Sequence, residues 1–260
     1  MHSSFIKSKV FTVLALVLLT YFFTFPMLMF HGTLTSIHNE TFNANDTSAD
    51  EIWNFYNQGR YKSVSTPRDA HDNLEQMIES GSEIGVASTP LWFVSLEAPN
   101  YPKIAFPQGI PVYFHFDGFS GEVHEMNTIN HYIGMDPMWV GGSLEREVAL
   151  YALLFLSLVF IYFIAYNHKI ISRLMLIPVV LPFLFVADYT YWLYWFGHNL
   201  HDWGAFDIKP FMPTVFGQGK VAQFSTHSYP HIGYFLMMAM SAILVVVVMI
   251  RKKQILNKGD

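Results

Sequence analysis

VALYALLFLSLVFIYFIAY, residues 148–166, contains no charged side chain and comes close to the ~20 apolar residues that a helix needs to cross ~30 Å of hydrocarbon. Three further runs are apolar over a similar length: Val10–Phe30, Leu174–Trp195, interrupted by Asp188, and Ile232–Ile250. A soluble domain has no use for four such stretches. The sequence therefore predicts a membrane α-helical protein with four transmembrane helices. The first run begins with basic residues, as a secretory signal does, but its apolar core is about twice the length usual for a signal. It ends in bulky Phe25-Pro26-Met27-Leu28, and it is read as a retained anchor.

Basic residues beside the runs set the orientation, because Lys and Arg bias short loops to the cytoplasm while acids count for little. Lys7 and Lys9 precede the first run, Lys169 and Arg173 separate the second and third, and Arg251, Lys252, Lys253 and Lys258 follow the fourth. Both termini are expected in the cytoplasm. The segment His31–Glu147 holds 16 of the 20 acidic residues against five Lys and Arg, so it is expected outside, together with Phe196–His231. Three parts follow: residues 1–30 as an anchor helix, 31–147 as an extracytoplasmic domain, and 148–260 as a three-helix membrane region with an outer His-rich loop at 196–231. Within 31–147, Ser48–Gln58 and Thr66–Ser80 read as helices, the latter with Thr66 as N-cap, Pro67 at the first position and Gly81 as the stop. Ile84–Leu96 and Ile104–Phe116 read as strands. A small mixed α/β domain between the first and second spans results.

The chain has no Cys. That excludes blue copper, which needs a thiolate, disfavours iron–sulfur clusters, and excludes haem attached through Cys-x-x-Cys-His. Copper or non-covalent haem stay open as cofactors, since both accept His. The mild net negative charge argues against nucleic acid as a partner.

Candidate chemistry falls in three places. His198 and His201 are spaced i, i+3, and His227 and His231 i, i+4, so on helices each pair would share a face at the outer membrane surface, as a copper or haem site or as interfacial hydrogen-bonding groups. Asp188 lies within an apolar, aromatic run, where an ionisable group is costly. With Tyr191 and Trp195 it would form a stripe that relays protons, binds a quinol headgroup or braces the His pair, unless Asp188 only hydrogen-bonds at the interface. The segment His115–Met138 offers His115, His124, His131 and Met135 to Cu(I), with Met126 and Met138 beside them. Alternatively its Met and aromatic residues form a docking surface, since Met packs adaptably. Phe119, Tyr132, Met138, Phe211 and Phe216 are the expected partner contacts. Gly217–Phe224 reads as a compact polar loop.

Asn130-His131-Tyr132-Ile133-Gly134-Met135, Trp195-Phe196-Gly197-His198-Asn199-Leu200, Pro210-Phe211-Met212-Pro213, the stretch Gly217–Phe224 and Tyr229-Pro230-His231 together resemble the small integral membrane proteins encoded with clade II nitrous oxide reductases (NosB-like). The likeness runs from about Ile104 to the fourth apolar run. It implies an accessory at the outer face of the bacterial cytoplasmic (inner) membrane, with the main soluble domain periplasmic, that supports a copper reductase in nitrous oxide respiration. It brings no residue roles with it. The expected function is thus a membrane anchor and electron-transfer or assembly partner of that reductase, performing no bond chemistry itself. A quinol-oxidising redox protein with non-covalent haem, or a copper-delivery protein, are the alternatives.

Overall fold

The computed structural model describes residues 2–29, 89–98, 109–116, 118–121, 123–166, 173–202, 204–205, 208–221 and 223–256. The elements are α1 (His2–Met29), β1 (Trp92–Glu97), β2 (Ile110–Phe114), β3 (Phe119–Gly121), α2 (Val123–Tyr132), a 3-10 turn at Met138–Val140, α3 (Ser143–Ala165), α4 (Leu176–His198), β4 (Gly217–Val221), β5 (Phe224–Pro230) and α5 (Ile232–Leu256). The expected helices Ser48–Gln58 and Thr66–Ser80 lie outside the described residues.

Among the described residues three helices, Ser143–Ala165, Leu176–His198 and Ile232–Gln254, are long and apolar enough to cross a membrane. The first of the four runs read from hydropathy is not among these three; it lies in α1, which is helical throughout its 28 residues and packs on α3 and α5. The helices bury a largely apolar interior and also present an apolar exterior. Leu19, Phe160, Phe163, Leu244 and Val247 are buried together, whereas Leu150, Leu154, Leu158, Phe183, Leu184 and Met249 are exposed. Exposed apolar area on this scale belongs against lipid.

Local chemistry explains the helix ends. Gly142 precedes α3 in the left-handed conformation (φ 66°), and Glu145 in the first turn faces the positive end of the helix dipole. In α4, Pro178 occupies the first turn, where its missing N–H costs nothing. Pro182 lies inside and forfeits a helical hydrogen bond. At that level α5 intervenes, its Ser241 hydroxyl donating to the Val179 carbonyl at 2.6 Å. At the other end of the bundle, Arg251 is wholly buried. Its Nε donates to Ser8 Oγ at 2.8 Å, Nη2 donates to the Phe163 carbonyl at 3.1 Å, and the guanidinium lies over the Phe163 ring at 4.4 Å. Of the cations counted for orientation, Arg251 is therefore a clamp joining α1, α3 and α5, while Lys252 and Lys253 are exposed.

The two outer segments do not form a domain and a separate loop. They share one antiparallel sheet, ordered β3-β2-β1-β5-β4, in which Trp92 of β1 pairs with Phe114 of β2 and with Pro230 of β5. The stretch expected as a polar loop, Gly217–Phe224, is β4 and the turn into β5. Its glycines suggested a loop, yet Gly219 is there because a Cβ would collide with Thr214 Oγ1. The boundary placed at residue 147 also moves, since α3 begins at Ser143.

Candidate functional site: a cavity at the outer ends of the helices

Helix depth places the site. Asp188 lies ten residues before the end of α4, about 15 Å along its axis, whereas Glu145 is only about 3 Å from the start of α3 at 1.5 Å per residue. The Asp188 and Glu145 carboxyls nevertheless face each other, close enough to interact as charges and as hydrogen-bonding groups. So α3 starts deep, and the last turns of α4 rise past it into the outer unit, where Phe196, with Trp192 and Trp195 partly buried against it, joins Ile129, Ile133, Met135 and Met138 in a second core. Asp188 thus stands level with the first turn of α3.

Between these elements is a cavity of about 330 Å³, walled by the sheet (Val94, Phe114), α2 (Met126, Asn130), the first turn of α3 (Glu145, Arg146), α4 and the 211–214 segment. Its size falls within the range of small-molecule sites. Asp188, Trp192 and Phe196, spaced i, i+4, i+8, face it together with Phe185 and Tyr189. The expected stripe turns otherwise: Tyr191 is 57% exposed on the outside, and Trp195 packs against Trp192 and Phe196. His115, Asn130, Thr214 and Thr226 add polar groups to the wall, and the charged ones gather at the start of α3. Trp192 Nε1 is 3.5 Å from Glu145 Oε1, at the limit of a hydrogen bond, and also faces Asp188. Glu145 Oε2 is buried without a hydrogen-bond partner among the described residues. Arg146 donates to the Gly141 carbonyl and lies over the Phe119 ring at 5.0 Å.

Ser228 holds the sheet on the bundle. Its Oγ accepts from Trp92 Nε1 at 2.8 Å, lies 3.2 Å from the Tyr189 hydroxyl, and donates to the Val215 carbonyl at 2.8 Å. Trp92 packs on Phe185, Tyr189 and Tyr234, so one aromatic cluster joins β1, α4 and α5.

The four outer imidazoles have separate partners. His198, exposed after the helix has nearly ended, stacks on Tyr194 at 3.9 Å with Nδ1 2.9 Å from the Tyr194 carbonyl. His201 lies beyond α4, not on its face, and pairs with Asp136 at 2.9 Å. His227 sits on strand β5, not on a helix, 3.2 Å from Glu97. His231 precedes α5, edge-on to Tyr113, with Nδ1 buried and unpaired among the described residues. Burial lowers its pKa, with the Pro90 backbone working in the opposite direction. Among the described residues no three His, Asp or Glu side chains gather where a metal would be held.

The Met-rich segment is largely interior. His115, His131, Met126, Met135 and Met138 are buried, and burial holds His131 neutral, with a pKa lowered to about 4. His124 lies on α2. Of the five expected partner contacts, Met138 is buried, Phe119, Tyr132 and Phe211 pack on the second core, and Phe216 is exposed, edge-on to Tyr229 at 5.8 Å. Glu145 and Arg146 are the site residues that sequence reasoning missed. A charged pair opening an apolar helix reads as an ordinary helix start, and the signal was its position opposite Asp188.

No family model, no curated protein and no solved structure matches the chain.

Proposed function

We propose that the protein is a membrane-anchored accessory that holds an extracytoplasmic copper reductase, a nitrous oxide reductase, at the outer face of a bacterial cytoplasmic membrane. In this reading α1 is a fourth crossing, both termini are cytoplasmic and the sheet is periplasmic. The observation that carries it is the joining of the two outer segments into one sheet fixed directly to the membrane helices. An edge strand of that sheet, β4, presents Gln218 and Lys220 beside the exposed Phe216 and Tyr229, with Met212 close in sequence. An edge strand offers unpaired backbone groups to a partner, and an exposed aromatic pair supplies the anchoring area typical of interface centres.

Extraction of the tagged protein in mild detergent tests the reading: the reductase accompanies it, and Phe216→Asp releases the reductase while the membrane protein stays folded. A reductase that never accompanies the wild-type chain refutes it. The chain has no Cys, so single-cysteine variants F216C and K253C report topology cleanly. Position 216 should react from outside and position 253 only after permeabilisation.

A further inference from the structure

The helices do not close on one another around the cavity. α3 packs on α1, α1 on α5 and α5 on α4, whereas α3 and α4 share no comparable packing. At the outer end, among the described residues, long side chains bridge the gap, Glu145 reaching toward Trp192 and Asp188. Leu184, which lines the cavity, is also 54% exposed on the lipid side of α4. Below, Phe116, Leu181 and Met237 are shared with a narrow apolar void of about 20 Å³ that reaches Leu19 of α1 and Leu156 of α3. The site therefore has a wide aromatic chamber at the level of Glu145 and a side facing lipid, with a small separate void beneath it.

The chamber's chemistry selects a headgroup. At the level of Glu145 acceptors outnumber donors: the Trp192 N–H is turned to Glu145 Oε1 and Asp188, while Glu145 Oε2 is buried and lacks a donor among the described residues. A buried acceptor without a donor is destabilising, and a ligand hydroxyl would relieve it. A phosphate or carboxylate head would instead meet two carboxylates. The only Arg or Lys among the described lining residues, Arg146, is already engaged with Gly141 and Phe119. Aromatic walls from Phe114, Tyr189, Trp192 and Phe196 suit a flat ring, and the open side at Leu184 lets an apolar tail leave between α3 and α4.

We propose that the cavity binds the hydroquinone form of a prenyl-tailed quinone, its hydroxyls donating to Glu145 and Asp188 and its tail leaving between α3 and α4. This goes beyond the anchoring role and does not depend on it, because binding needs no reductase.

The test uses the full chain in phosphatidylcholine nanodiscs, titrated with a decyl-tailed benzoquinol and separately with the oxidised benzoquinone, followed by indole fluorescence and by native mass spectrometry. Saturable one-to-one binding is expected, with the quinol favoured about tenfold, because the quinone's carbonyls are acceptors that cannot donate to carboxylates. Glu145→Gln and Asp188→Asn should each weaken quinol binding about tenfold and narrow the gap between the redox forms, a change that mere loosening of the fold would not produce. Leu184→Trp, at an exposed position, should obstruct both forms. The proposal is overturned if binding does not saturate, if wild-type protein holds both redox forms equally, or if a co-purified phospholipid occupies the chain and excess quinol does not displace it.

Discussion

Ser228→Ala isolates the joint between the outer sheet and the membrane helices. The change removes one oxygen and almost no volume, so no cavity opens. The consequence is polar. Trp92 Nε1 loses the acceptor it holds at 2.8 Å, the Tyr189 hydroxyl loses its neighbour at 3.2 Å, and the Val215 carbonyl loses a donor. Trp92 is 3% exposed and Tyr189 5%, so water does not easily replace the lost partner. Each orphaned buried group costs about 1–3 kcal/mol, and with the Tyr189 contact already long the sum comes to about 2–4 kcal/mol. For a chain of this size one kcal/mol moves the melting temperature by about 2–4 °C, so a drop of about 5–10 °C is expected. Scanning fluorimetry in detergent reads it directly. Trp92→Phe provides the internal check: in the Ser228→Ala background it removes the stranded indole N–H, so the double variant should be less destabilised than the sum of the singles by about 1–2 kcal/mol. Strict additivity, or a Ser228→Ala shift below about 2 °C, would show that this hydrogen-bond hub does not hold the sheet to the bundle.

Acidification should destabilise the protein through His131. Its folded pKa is lowered to about 4 against about 6.5 unfolded, so between those values the unfolded chain takes up a proton that the folded chain refuses. Stability is full above pH 6.5 and falls by up to roughly 3 kcal/mol on the way to pH 4, His231 adding in the same direction. Melting curves at pH 7.5 and 4.5 should show a smaller gap in His131→Asn, and an unchanged gap refutes the assignment. Gly134→Ala should cost more than helix or strand propensity explains, at least about 2 kcal/mol, because φ is +81° and a Cβ would lie 2.5 Å from the His201 carbonyl oxygen; a variant melting within 2 °C of wild type would count against that packing. Arg251→Met removes the donors to Ser8 and Phe163 but also a buried charge, so it should be milder than Ser8→Leu, which takes the acceptor from Nε while the charge stays buried; the reverse order in thermal melts contradicts the clamp. Added copper should dialyse away, since His198, His201, His227 and His231 each face a different neighbour. An equimolar ion retained by wild-type protein and lost in the double variant H198A/H201A would bring those imidazoles together.

The spans were legible because hydrophobicity over ~20 residues is a bulk property that tertiary context rarely overrides. β1 and β2 were legible in part for a similar reason, their Val, Ile, Phe and Trp content being what a pleated, half-buried surface takes. β4 was not. Gly217-Gln218-Gly219 has almost no strand propensity and becomes a strand because β5 pairs with it and Thr214 leaves no room for a side chain at Gly219. The histidines misled through spacing, since i, i+3 and i, i+4 have meaning only inside a helix, and α4 ends at His198 while α5 begins at Ile232. The stretches that carried the resemblance meet one another in the fold. Gly134 takes the His201 backbone (His201 N to Gly134 O, 2.7 Å) and Gly197 takes that of Phe211 (Phe211 N to Gly197 O, 3.0 Å), and a Cβ at Gly197 would overlap the Phe211 carbonyl. Their glycines reflect close backbone approach, which is a folding requirement and needs no ligand.

What hydropathy could not give is relative depth, and the site depends on it. A window average treats α3 and α4 as equivalent spans, so Glu145 reads as a charge at a helix start and Asp188 as a charge buried in lipid. Each has a cheap explanation alone, a favourable dipole contact for the first and an interfacial hydrogen bond for the second. In the fold α4 is raised relative to α3 by about 12 Å, the difference between the ~15 Å and ~3 Å that separate the two carboxyls from their helix ends. That offset puts both carboxyls at one level, clothes the top of α4 in the second core, and leaves a chamber where a third helix end would otherwise pack. The offset is maintained by uncharged side chains: Phe196 filling the space over Gly141, and Trp92 and Tyr189 meeting at Ser228. Giving Gly141 a side chain should therefore disturb the cavity without touching a lining carboxyl. A Cβ there would lie 2.6 Å from the Phe196 ring, so Gly141→Val should push that ring into the chamber and weaken quinol binding, while the pair Gly141→Val and Phe196→Leu should restore it. Loss without rescue would mean that the offset is set elsewhere.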